Sequence, residues 1–149
     1  MKPKFPIISF YNNAVDLIPD ESYLGQAKVL GILKGNKNSV EYDSDGKKWN
    51  LKLTSDKITD SFLTRLLAYT IYNPTVAVIP KWKLISEFEL NEIKLELIKC
   101  VDDDDDILTQ FIDSDQIKNH INTAESFEII YNILLKYVFE YNDENDSNL

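Results

Sequence analysis

The sequence predicts an α+β fold in which an N-terminal antiparallel sheet packs against C-terminal helices. Up to about residue 54, apolar and polar residues alternate with period two, as in strands with one buried face. Beyond that point apolar residues recur with a period near 3.6, as in helices. The chain has 149 residues, 44% of them hydrophobic, and contains no dividing linker. We therefore predict a single domain over residues 1–141 and a polar, acidic tail over 142–149.

Five strands are predicted, over residues 5–11, 27–34, 39–42, 47–54 and 75–79. The third and fourth form the clearest element, a hairpin in which Trp49, Leu51 and Leu53 alternate with polar residues. Gly46, at the end of an Asp-Ser-Asp-Gly segment, suits the positive φ of the hairpin turn. The last strand is a β-branched run between two prolines, so we expect it to return to the sheet as a short or edge strand.

The first predicted helix covers residues 58–72. Ile58, Phe62, Leu66 and Tyr69 share one of its faces, and the Asn-Pro pair at residues 73–74 ends it. A second helix is predicted from about residue 90 to 101, although its apolar spacing also permits a strand. Two short apolar segments, residues 107–112 and 117–121, follow between acidic breaks.

The last helix is predicted over residues 124–141. Between residues 127 and 141 its only non-apolar residues are spaced by four, namely Glu128, Asn132, Lys136 and Glu140. Asn122 and Glu125 form a capping box before it. A helix with so narrow a polar stripe is either enclosed by other elements or packed against another chain.

Negative charge is concentrated in the second half of the chain. Residues 1–74 carry ten Lys or Arg against eight Asp or Glu, whereas residues 75–149 carry six against seventeen. The net charge is −9, and Arg65 is the only arginine. These features argue against binding to nucleic acid or an anionic membrane, because phosphate contacts require clustered Lys and Arg. A surface of this sign attracts basic partners instead.

The sharpest part of this charge is an unbroken run of five aspartates, residues 102–106. One interpretation is a helix start, where Asp106 or a neighbour caps residue 107 onward. A second is an electrostatic plug for a basic cleft on a partner, and a third is a divalent-cation site. For partner binding we select the acidic residues of this region together with the aromatic residue of an apparent loop, namely Asp102, Asp103, Asp104, Asp105, Asp106, Asp113, Asp115 and Trp82.

The sequence contains few residues that could form a metal site or a catalytic site. Residues 43–46 resemble the opening of a calcium loop but lack its third acidic ligand and its closing glutamate, so we interpret them as a turn. His120 and Cys100 are the only histidine and cysteine, which is too few for a zinc site, and no flanking sequence supports a Cys–His nucleophile. We predict no cofactor, no metal and no catalytic residues.

A small, acidic α+β chain without a catalytic constellation resembles the immunity proteins of bacterial polymorphic toxins. The hairpin at residues 40–49, with Asp-Gly at its turn and Trp49 on the returning strand, is similar to hairpins in several of them. The resemblance implies tight binding to a cognate basic toxin domain, such as a nuclease, and obstruction of its active site. Complementary charge would speed association, and an apolar centre would hold the complex.

Two other function classes remain open. One is a homo-oligomeric interaction protein, in which the last helix packs across a homodimer. The other is a small enzyme that uses carboxylates or tyrosines, for which a pocket lined by perturbed acids would be evidence. A lone cysteine, no apolar run of membrane-spanning length and no signal-peptide pattern at the N-terminus lead us to expect a cytoplasmic protein.

Overall fold

The first part of the chain, in which apolar and polar residues alternate, forms antiparallel strands. The computed structural model describes residues 1–28, 32, 39–56, 61–70, 73–103 and 108–139. The strands are β1 (Ile7–Tyr11), β2 (Ala14–Ile18), β3 (Gln26–Lys28), β4 (Ser39–Asp43), β5 (Lys47–Thr54), β6 (Thr75–Ala77) and β7 (Ile79–Glu87). The helices are α1 (Phe62–Thr70), α2 (Leu90–Asp103), α3 (Ser114–Thr123) and α4 (Phe127–Leu134). This is the α+β fold that the sequence predicts.

In the described part of the chain, the main sheet has five strands in the order β2-β1-β4-β5-β7, and a second sheet pairs β3 with β6. The predicted hairpin is confirmed as β4 and β5. The strand predicted over residues 75–79 is short, as expected, but it pairs with β3 instead of returning to the main sheet. Of the strand predicted over residues 27–34, only the start is found, in β3; Ile32 is helical, and residues 29–31, 33 and 34 lie outside the described residues.

The sequence analysis missed β2, which pairs with β1 from Ile7 opposite Ile18 to Tyr11 opposite Ala14. The connection is a two-residue turn, in which Asn12 has a φ of 53°. Asparagine tolerates this left-handed conformation better than other non-glycine residues, so the Asn-Asn pair is a hairpin signal.

It also missed β7, because Pro80 and Trp82 were interpreted as parts of a loop. That interpretation is wrong. β7 is an edge strand paired along its whole length with β5, with Pro80 opposite Leu53 and Trp82 opposite Leu51. An edge strand tolerates proline because the missing N–H can lie on the side without a neighbouring strand.

Helices α2, α3 and α4 cover one face of the main sheet, which we call the helix face. Ile8, Phe10 and Tyr42 pack there against apolar side chains of α2, α3 and α4 in the larger core cluster. Tyr42 is fully buried, and its hydroxyl donates a hydrogen bond of 2.6 Å to Glu96 of α2. This contact ties the centre of the sheet to the helical layer.

The opposite face of the sheet carries a smaller core cluster. Ile7, Ile18 and Leu51 pack there with Leu24, which belongs to a 3-10 turn over Glu21–Leu24. Strand residues alternate between the two faces, so adjacent Ile7 and Ile8 belong to different clusters. The sheet is therefore buried on both sides around its central strands.

The second half of the chain forms helices, as predicted, but a helix cap differs from the prediction. Residues 90–101 are helical, so the alternative of a strand there is wrong. Residues 117–121 lie within α3, and Leu108 is helical, while 107 is outside the described residues. α4 is capped by Ser126, whose hydroxyl accepts from the amide of Ile129, and not by the expected Asn122 and Glu125 box.

α4 continues as a π-helical turn over Leu135–Phe139. Ile130, Tyr131, Leu134 and Val138 are buried in the larger core cluster, so the apolar circumference of this helix is largely used within the chain. None of the helices in the described part of the chain is long and apolar enough to cross a membrane.

Candidate functional site

The acidic residues selected from the sequence lie where α2 ends and α3 begins. Asp102 and Asp103 are the last residues of α2, Asp113 precedes α3, and Asp115 is in the first turn of α3. Lys118 connects the two groups, since its Nζ contacts Asp102 Oδ1. The hydrogen bond to Asp102, with the charges of Asp102 and Asp115, raises the pKa of Lys118. We call these four aspartates the acidic surface.

Three of the four have a structural explanation, since Asp102 accepts a hydrogen bond from Lys118 of α3 and the other two lie at the start of α3. Asp113 is the N-cap of α3, and its Oδ1 accepts a hydrogen bond of 2.9 Å from the Asp115 amide. Asp115 lies in the first turn, where the helix dipole favours negative charge. Sequence reasoning did not foresee this capping role because it considered only the five-aspartate run as a helix start.

Asp102 and Asp103 have the opposite relation to their helix. They lie at the C-terminal end of α2, whose last turn contains no basic residue. Negative charge at that end opposes the helix dipole and costs about 0.3–1 kcal/mol for each group in an exposed position. The interpretation of the run as a helix start concerns Asp106 or a neighbour as the cap of residue 107 onward, and it stays a prediction. Asp104, Asp105 and Asp106 lie outside the described residues.

Trp82 is not part of the acidic surface. It lies on β7, on the face of the sheet opposite the helices, and is partly buried in the smaller core cluster. Its ring makes edge contacts with Trp49 at 6.5 Å and Phe5 at 6.4 Å between centroids. The structure thus gives Trp82 a packing role and separates it from the aspartates with which it was grouped.

A pocket of about 170 Å³ opens on the same side of the sheet as Trp82. The pairing of three adjacent strands builds its floor: Ser9 of β1 is opposite Asp16 of β2 on one side and opposite Glu41 of β4 on the other. Serines, carboxylates, aliphatic side chains and tyrosines line it. The described residues of the lining are Ser9, Tyr11, Asp16, Ile18, Tyr23, Leu24, Ser39, Glu41, Leu51 and Leu53.

Glu41 is the unusual residue of this pocket because it is a carboxylate with 0% exposure. The Leu51 amide donates to its Oε2 at 2.9 Å, and the Ser9 hydroxyl donates to its Oε1 at 3.4 Å. Burial raises its pKa from the ordinary value of 4.5 to about 7, against the lowering effect of hydrogen bonds from Ser39, Leu51 and Ser9. Desolvation dominates because these donors are neutral and do not replace the lost hydration of a charge.

Asp16 and Tyr23 also line the pocket. Partial burial raises the pKa of Asp16, although its Oδ1 accepts a 2.8 Å hydrogen bond from the Leu17 amide. The charge of Asp16 in turn raises the pKa of Tyr23, whose hydroxyl lies 3.5 Å from Asp16 Oδ1. Among the residues that the structure describes, the pocket lining therefore has two carboxylates and no lysine, arginine or histidine.

Asp43, the other buried acid of β4, serves the hairpin. Its Oδ2 accepts from Trp49 Nε1 at 2.8 Å, and its Oδ1 accepts from the amides of Asp45 and Lys47 at 2.9 and 2.8 Å. Gly46 completes the turn with a φ of 79°. The interpretation of residues 43–46 as a turn is confirmed.

α1 exposes its apolar side chains. Phe62 is 82% exposed, and the only buried residue of the helix is Ala68. The face expected to pack against the sheet is thus largely on the surface; the exposed large apolar residues are Phe62, Leu63, Leu66, Leu67 and Tyr69. Its expected member Ile58 lies outside the described residues. An exposed apolar cluster of this size is typical of protein-interaction surfaces.

The remaining polar candidates do not assemble into a reactive site. Cys100 is buried in the larger core cluster. His120 stacks on Tyr137 with 5.1 Å between ring centroids, at a groove of about 350 Å³ between α3 and the end of α4. Within the described ranges, no group of three or more His, Cys, Asp or Glu residues could hold a metal ion.

Comparisons with protein-family models, with curated proteins and with solved structures found no match for this chain.

Proposed function

We propose that the protein is an immunity protein that neutralises a basic bacterial toxin domain by binding it through the acidic surface. The observation that carries this proposal is the position of Asp102 and Asp103. Both charges oppose the dipole of α2. The contact with Lys118 offsets this cost for Asp102, so Asp103 is the stronger argument that these residues serve function at the expense of stability.

The charge distribution supports the same function. The second half of the chain carries an excess of eleven negative charges, and the acidic surface belongs to that half. A concentrated charge of one sign raises the rate at which an oppositely charged partner associates and weakens with added salt. A basic active-site cleft of a toxin domain is a partner of the required charge.

Complementary charge increases the association rate and the specificity of a protein complex more than its affinity. A tight complex therefore also needs an apolar centre that is buried on binding. The exposed side chains of α1, led by Phe62 and Tyr69, are a second surface of suitable composition. Aromatic residues are enriched among the residues that dominate binding energies.

The test uses two variants with the same change in charge. One is Asp102→Asn/Asp103→Asn, and the matched control is Glu87→Gln/Glu89→Gln, which replaces two exposed carboxylates at the end of β7 and just after it. The partner is a candidate basic toxin domain, sought among the open reading frames upstream of this gene, and the association rate is measured at low and at physiological salt.

We expect the aspartate variant to associate several-fold more slowly at low salt and to show a weaker salt dependence. The control should resemble the wild type, and replacement of the whole run from Asp102 to Asp106 by Asn should give a larger effect. Equal rates for the aspartate variant and the control would reject the acidic surface as the binding site.

Self-association is a second candidate function, favoured by the exposed apolar face of α1 and not by α4, which packs within the chain. Sedimentation of the wild type across a hundred-fold concentration range distinguishes it. A mass that rises toward a dimer, and a Phe62→Ser variant that stays monomeric, would favour this candidate over toxin binding.

A further inference from the structure

We propose that the pocket formed by β1, β2, β4, β5 and the 3-10 turn binds a primary alkylammonium group, with Glu41 at its floor as the counter-ion. This inference is independent of the proposed toxin-binding function. It concerns the face of the sheet opposite the helices, whereas the acidic surface belongs to α2 and α3.

The first argument is the missing positive charge. Buried charges in proteins are generally paired or neutralised, because removing a carboxylate from water is costly. Glu41 is fully buried, and the described part of the pocket lining contains a second carboxylate, Asp16, and no cationic side chain. A cationic ligand would supply the charge that the lining lacks.

The second argument is the hydrogen-bonding capacity of Glu41. A carboxylate has about four acceptor positions. The Leu51 amide uses one at 2.9 Å, the Ser9 hydroxyl makes a long contact of 3.4 Å, and the Ser39 hydroxyl is a third donor, which leaves about one position open. An ammonium group has three donors, and the hydroxyls of Ser9 and Ser39 beside Glu41 are further acceptors for them.

The third argument is size and shape. A volume of about 170 Å³ is close to the roughly 150 Å³ of an engineered cavity that binds benzene, a ligand of about six heavy atoms. Ile18, Leu24, Leu51 and Leu53 give the pocket an apolar wall. A charged end on a short aliphatic stem matches that combination, and a four-carbon amine has the right number of atoms.

Two sources carry this chemistry: a free small amine, and the side chain of a lysine in a protein. The experiment represents the first by n-butylammonium chloride and the second by Nα-acetyl-lysine methylamide. n-Butanol, which has the same number of heavy atoms and no charge, is the control ligand. Binding to the full chain is followed by NMR titration at pH 8 and constant ionic strength.

We expect n-butylammonium to bind with a dissociation constant on the order of 1 mM, the range for a ligand of about five atoms, and n-butanol to bind at least ten-fold more weakly. Glu41→Gln should lose at least ten-fold in affinity and Asp16→Asn a smaller factor. Asp45→Asn, an exposed carboxylate on the hairpin turn, should leave binding unchanged. If Nα-acetyl-lysine methylamide binds as tightly as n-butylammonium, the ligand is the lysine side chain of a protein. If only n-butylammonium binds, the ligand is a free amine.

Affinity should also fall as pH decreases through 7, because Glu41 must be ionised to act as the counter-ion. The other titratable groups that face it are Asp16, Tyr11 and Tyr23 in the pocket, with Asp43 on its own strand. Butanol binding as tight as butylammonium, no saturable shift with either amine, or unchanged affinity in Glu41→Gln would overturn the proposal. If Glu41→Gln does not fold, the proposal is tested by the affinity of Asp16→Asn for butylammonium and by the comparison of butanol with butylammonium on the wild type.

Discussion

Replacing Glu41 by glutamine should change how the stability of the protein depends on pH. In the folded protein burial raises the pKa of Glu41 from 4.5 to about 7. Between these two values the unfolded chain has released the proton while the folded chain still holds it. Stability therefore falls as the pH rises through this range, and it levels off above about pH 7.

The size of the effect follows from the shift. Each pKa unit corresponds to 1.36 kcal/mol, so a shift from 4.5 to about 7 amounts to about 3 kcal/mol. Glutamine has the size of a protonated glutamate and never ionises. We expect Glu41→Gln and the wild type to be similarly stable near pH 4, and the variant to be more stable by about 3 kcal/mol at pH 8.

Urea unfolding at pH 4, 5, 6, 7 and 8, followed by tryptophan fluorescence, measures this difference directly. Asp45→Asn is the matched control, since Asp45 is exposed and hydrogen bonding to Lys47 lowers its pKa below this range. Its difference from the wild type should stay constant between pH 5 and 8. Parallel curves for Glu41→Gln and the wild type would refute the reasoning, because they would mean that Glu41 ionises normally in the folded state.

Three further changes test the packing, the hairpin and the acidic surface. Leu134→Ala should lower the free energy of unfolding by about 2–5 kcal/mol, because Leu134 is fully buried in the core. Ile129→Ala, on the exposed side of α4, should lower it much less. Equal losses for the two variants in urea unfolding would contradict the assignment of Leu134 to the buried face of the helix. Asp43→Ala should lower the free energy of unfolding by about 2–4 kcal/mol, since Trp49 Nε1 and the turn amides lose their acceptor. A variant as stable as the wild type would show that these donors find other partners. Asp103→Asn should raise the thermal midpoint, because it removes a charge that opposes the dipole of α2; a lower midpoint would mean that the charge stabilises the helix end.

The fold was predictable wherever one face of an element dominates its pattern. The alternation of Trp49, Leu51 and Leu53 located β5, and the 3.6-residue period located α2 and α4. β7 was missed because its interior proline conflicts with a central strand, and only its position at the sheet edge, which is a tertiary property, removes the conflict.

The pocket was not predictable for a related reason. In β4, Val40 and Tyr42 alternate with Ser39, Glu41 and Asp43, and such a strand is usually read as apolar inside and polar toward solvent. Here both faces are covered, so all three polar residues are buried. Whether a polar face is covered depends on Leu24 and other residues distant in sequence, and the alternation contains no information about that covering.

The two-sided burial of β4 also restricts how the chain can fold. Shifting this strand by one residue against β1 would turn Glu41 and Asp43 toward the helix face and Tyr42 toward the opposite face. Trp49 Nε1 and the Leu51 amide would then lose their acceptors, and two carboxylates would face an apolar layer. A misaligned sheet is thus penalised on both sides at once, and the polar residues of β4 select one register during folding.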